Sequence, residues 1–134
     1  MHNRTPFFLL ALGDAVTLLL VSLAGFASHS QALTANRFFA VYLPLLAAWG
    51  LYSPWFQVYH PAVTSSPKKV WQPVLAVLLA VPLAVILRGF WLGQAVVPLF
   101  TLVLGLFSAL GIGIWRLIWV FIRQAKAPAW TKQP

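Results

Sequence analysis

The sequence predicts an all-α protein, an integral membrane bundle of four transmembrane helices. Three observations carry that class. Of the 134 residues, 61% are hydrophobic and only 7% are charged, where a soluble domain carries about 25% charged residues. Apolar runs near 7–27, 38–58, 70–91 and 97–122 each reach the ~20 residues that a helix needs to cross a bilayer core. The cations gather at the ends of those runs, where they act as topology signals and headgroup contacts. One membrane domain then accounts for residues 1–134, with 123–134 read as a short basic tail.

The first run, FFLLALGDAVTLLLVSLAG over 7–25, follows Pro6, a residue suited to a helix start because its missing N–H costs nothing there. It contains Asp14, the one acidic residue of the chain. The second run holds Pro44, the third Pro73 and Pro82, and the fourth starts beside Pro98. Pro73 and Pro98 suit helix starts, whereas Pro44 and Pro82 are expected to kink their helices and free a carbonyl each. The connections SHSQALTANR (28–37), YHPAVTSSPKK (59–69) and LGQA (92–95) are too short for a separate soluble domain.

Charge sets the expected orientation. Arg4, Lys68, Lys69, Arg123, Lys126 and Lys132 fall on one side and only Arg37 and Arg88 on the other. The positive-inside rule places both termini in the cytoplasm, so a cell inner (cytoplasmic-type) membrane is the expected location. A cleavable signal peptide ending near Ser30-Gln31-Ala32 competes with this reading, but the apolar stretch is long for a signal core and Asp14 interrupts it. The net charge of +8 would suit nucleic acid only as a patch on a soluble fold, so no nucleic-acid partner is expected. With no cysteine in the chain, thiolate chemistry, zinc–thiolate sites and disulfides are excluded.

Asp14 needs a partner, because charges within spans face the bundle interior and pair. Depth chooses between two arginines. At 1.5 Å rise per residue, Asp14 lies roughly 12 Å from the start of its span and Arg116 roughly 9 Å from the same surface, whereas Arg88 is on the order of 15 Å from that level. The sequence therefore pairs Asp14 with Arg116. Gly105, Ala109 and Gly113 recur every four residues, a small-residue stripe that lets helices approach closely. Arg116 follows on that face, so the stripe is expected to meet the first helix along Ala11, Asp14, Leu18, Val21 and Gly25. Thr17, one turn from Asp14, is expected to donate its hydroxyl to the carboxylate.

Other candidates have plain readings beside the sharp ones. Arg88, closing the third run with Gly89, snorkels to headgroups or binds an anionic headgroup or partner; His29 is a further interface candidate. Trp55, Trp71, Trp91 and Trp119 fit interfacial belts, and Trp49 and Trp115 fit packing better than pigment or quinone binding. His29 and His60 are expected on opposite sides and offer no metal-ligand spacing. No cofactor, metal or catalytic group is expected, and no glycine-rich phosphate loop occurs.

Leu12-Gly13-Asp14, Gly25, Ser28-His29, Pro44 with Trp49 five residues on, Arg88-Gly89 and Trp115-Arg116 together resemble a family of small prokaryotic membrane proteins known only as a domain of unknown function. The resemblance runs from about residue 7 to 122; it implies a four-helix membrane bundle and supplies no activity or ligand. The leading expectation is a non-enzymatic structural or accessory membrane protein, partnered by the lipid bilayer and by a larger membrane complex or by itself. A small transporter or channel using Asp14 and Arg116 is the alternative, and a membrane-embedded enzyme comes third because the catalytic inventory is thin.

Overall fold

The structure, a computed structural model, describes residues 5–28 and 34–127. Among them the chain is helical throughout: α1 (Thr5–Ser28), α2 (Ala35–Trp55), the one-turn α3 (Pro61–Thr64), a 3₁₀ turn (Pro67–Lys69), α4 (Trp71–Leu92) and α5 (Pro98–Lys126). Four of these helices, α1, α2, α4 and α5, are long and apolar enough to cross a membrane. They pack in a ring, α1 on α2, α2 on α4, α4 on α5 and α5 back on α1.

Each helix buries one stripe. On α5 it is Leu104, Ser108, Ile112, Arg116 and Val120, residues four apart that share a helix face. Leu10, Asp14, Leu18 and Ser22 form the equivalent stripe on α1. The most extensive contact joins α2 to α4. There Ala40, Pro44 and Ala48 on α2 and Ala76, Ala80 and Ala84 on α4 are all buried, and the alanine row of α4 permits close backbone approach. The outward faces carry Leu9, Val16, Leu20, Leu102, Leu106 and Phe121, all exposed. In water such a perimeter would be costly; in lipid it is the expected surface.

Helix ends follow local chemistry. Thr34 caps α2 by accepting from the Arg37 N–H, Pro98 opens α5, and Gly93 closes α4 at φ 62°. Gly89 allows that closure, because a Cβ there would stand 2.9 Å from the Gln94 carbonyl oxygen as the chain folds back. Pro44 and Pro82 lie inside unbroken helices. Three boundaries differ from expectation by three residues or more, the start of the second span at Ala35 rather than Phe38 among them. The second span stops at Trp55 rather than Val58, and α5 runs on to Lys126, so Arg123 and Lys126 belong to the helix and not to a tail.

The early stop of α2 matters most. Gln57 takes a left-handed conformation (φ 50°), its N–H bonds the Pro54 carbonyl, and the Val58 N–H bonds the Ser53 carbonyl. That pair of bonds is a Schellman closure with glutamine where glycine is usual. It turns the chain inward, so that Val58 is fully buried instead of continuing toward the surface.

Candidate functional site

The inward turn delivers two residues to Asp14. The carboxylate sits on the buried stripe of α1 with no exposed surface, and Arg116 reaches it from α5 at 2% exposure. Arg116 Nε donates to Oδ1 at 3.0 Å and Nη2 to Oδ2 at 2.7 Å, a two-pronged geometry that suits guanidinium and carboxylate. Nη1 donates to the Val58 carbonyl at 2.7 Å. Tyr59 donates its hydroxyl to Asp14 Oδ2 at 2.7 Å and receives the Trp49 indole N–H at 3.2 Å. The guanidinium also stands 5.1 Å over the Tyr59 ring. Four segments thus converge, α1, α2, the turn after it and α5.

Burial first, and then the adjacent Asp14 charge, push the Tyr59 phenol well above its ordinary range, so it remains a hydrogen-bond donor. Tyr59→Phe removes a bond to a charged group, worth about 1.5–3 kcal/mol, and leaves the Trp49 indole without its acceptor. A lowered melting temperature of the detergent-solubilised protein is the expected result; unchanged melting would mean that the phenol contributes nothing to holding the carboxylate.

The surroundings correct two expectations. Thr17 donates to the Gly13 carbonyl of its own helix at 2.7 Å, not to Asp14, because a threonine hydroxyl in a helix finds the carbonyl one turn back first. Gly105 and Gly113, the two glycines of the stripe, do not serve α1. Gly105 faces Leu78 and Val81, and Gly113 faces Val74, all on α4. Close approach of α5 to α1 runs through other glycines. A Cβ on Gly111 would press on Thr17 and Val21 at 3.0–3.1 Å, and one on Gly13 would overlap the Trp115 ring.

The remaining candidates lie apart from this centre. Arg88 stands near the opposite end of the bundle, its guanidinium 4.8 Å over the Phe100 ring. His60 caps α3 through Nδ1, accepting from the Ala62 N–H. His29 and the Ser30–Ala32 stretch lie outside the described residues, as do Arg4 and Lys132. Among the described residues no group of histidine, cysteine and carboxylate side chains could hold a metal ion.

Sequence reasoning missed Tyr59, Val58 and Trp49. Trp49 and Tyr59 were visible as aromatic residues, but no glycine announced the turn at Gln57 that brings the loop to the carboxylate.

No curated protein matches the chain, and no solved structure does. A family model described as a protein of unknown function, DUF3054, matches residues 11–119, a stretch that includes Asp14, Trp49, Tyr59, Arg88 and Arg116. With most of its length inside that match and four helices fit to span a membrane, the chain belongs to the DUF3054 family of proteins of unknown function.

Proposed function

We propose that this protein is a non-enzymatic structural or accessory component of a cell inner membrane, with both termini in the cytoplasm. On this reading Asp14 and Arg116 form an intramembrane ion pair that fixes the register of α1 against α5. The observation that supports it is the closure of the polar centre. Three donors occupy the two Asp14 oxygens, and Arg116 spends its remaining reach on Val58. A proton path needs successive titratable groups open to water, yet of two clefts that indent the bundle neither is lined by Asp14, Arg116 or Tyr59.

The cytoplasmic placement of the termini is supported by Lys68, Lys69, Arg123 and Lys126 at the end of the bundle where α1 begins and α5 ends, against Arg37 and Arg88 at the other. The apolar outer face of so small a bundle supports association in the membrane, with a larger complex or with further copies.

Reconstitution tests the reading. Liposomes holding the purified protein should pass protons and ions no faster than empty ones under an imposed gradient. Mild-detergent extraction should recover the chain with a fixed partner or as a defined oligomer. Flux that Asp14→Asn abolishes would replace the structural reading by a carrier using the Asp14–Arg116 pair.

A further inference from the structure

At the end of the bundle opposite Asp14, a cleft of about 400 Å³ opens between α1, α2, α4, α5 and the α4–α5 turn. That volume falls within the ~300–1,000 Å³ of small-ligand sites. Its walls are mostly apolar, including Val21, Phe26, Leu92 and Val103, and two guanidinium groups, Arg37 and Arg88, line it together. Two cations sharing an apolar cleft repel each other and call for an anion.

This chain cannot supply one from a side chain. Its single acidic residue is Asp14, which is buried against Arg116 at the far end. Arg88, which lines the cleft, has its Nε buried without a hydrogen-bond partner, and its guanidinium lies over the Phe100 ring, so no carboxylate of this chain meets its charge or its planar set of N–H donors, which suits an oxyanion. Ser22 spends its hydroxyl on the Leu18 carbonyl, which leaves the two arginines as the charged donors, beside the Gln94 amide. Gly25, on the α1 wall, has nothing within 4 Å of where a Cβ would stand; the missing side chain keeps the cleft open.

We infer that this cleft binds one anionic phospholipid, its phosphate bridging Arg37 and Arg88 and an acyl chain lying along the α1 and α5 walls. Depth supports a lipid over a free anion. Arg37 is in the first turn of α2 and Arg88 in the last turns of α4, the level of the headgroups, and the apolar walls run from there toward the bilayer core.

The test is native mass spectrometry of the full-length protein in maltoside micelles, supplied with equimolar phosphatidylglycerol and phosphatidylcholine. Wild type should retain phosphatidylglycerol over phosphatidylcholine by on the order of tenfold, the preference that two cations at headgroup level confer. Arg37→Gln with Arg88→Gln should erase the preference, and Lys68→Gln with Lys69→Gln, at the other end, should keep it. Gly25→Leu leaves both charges and improves helix propensity, yet should lose the bound lipid by filling the cleft. Phosphatidylglycerol held equally by the double arginine variant or by Gly25→Leu overturns the site, as does an absence of preference in wild type. Displacement of the lipid by an equal concentration of inorganic phosphate would show a bare anion site and overturn the lipid.

Discussion

Arg116→Leu is expected to cost about 3–5 kcal/mol of stability, because it strands a buried carboxylate rather than merely deleting a contact. The geometry says what is left behind. Asp14 would keep the Tyr59 hydroxyl but lose both bonds from the guanidinium, and the Val58 carbonyl would lose its donor. Asp14→Leu alone leaves the converse problem, a buried guanidinium still bonded to Val58. The double variant, leucine at both positions, removes both charges and should cost less than the two single changes added together. It is not expected to be neutral, since Tyr59 O–H and the Val58 carbonyl are both left unsatisfied, at about 1–3 kcal/mol each. Adding Tyr59→Phe to the double variant removes the stranded O–H but strands the Trp49 indole N–H in its place, so it should recover little of that loss. Denaturation by SDS in mixed micelles, followed by helical circular dichroism, gives the four corners of the cycle. If the loss in the double variant equals the sum of the two single losses, the coupling is zero, the charges do not depend on each other and the register role of the pair is lost.

That cycle also separates what the sequence reveals from what it hides. The spans are legible because a helix crosses lipid only as an apolar segment of sufficient length, and α1 and α4 lie near the expected ranges. The depth argument needs nothing beyond helix rise, and Arg116, the residue it selects, is the one whose Nη2 stands 2.7 Å from Asp14. Tyr59 escapes because its position depends on one left-handed residue, Gln57, and glutamine gives no hint of that conformation. The partner of the Gly105–Gly113 stripe escapes for a different reason. Small residues four apart occur on α1, α4 and α5 alike, and the pattern says that helices approach closely without saying which. Only the ring order of the helices, with α5 between α4 and α1, decides that Gly105 and Gly113 face α4 while Gly111 faces α1.

Gly13 gives the sharpest test of that α1–α5 contact. In an ordinary helix interior, Gly→Ala stabilises by up to about 1 kcal/mol. Here the new methyl group would fall on the six-membered part of the Trp115 ring, and overpacking of this kind costs about 1–3 kcal/mol. Trp115 is only half-buried, but swinging it outward would break its packing with Trp119, whose ring centre lies 5.9 Å away. Moving α1 away instead would stretch the bonds from Arg116 to the neighbouring Asp14. The overlap therefore outweighs the propensity gain, and Gly13→Ala should lose about 1–2 kcal/mol net. Trp115→Leu removes the obstructing ring atoms, so the same Gly13→Ala change made in that background should become neutral or stabilising. The reversal of sign is what the contact requires, and melting of the four proteins in one detergent reads it directly. A Gly13→Ala cost that persists without the indole would mean that Gly13 makes room for something other than Trp115.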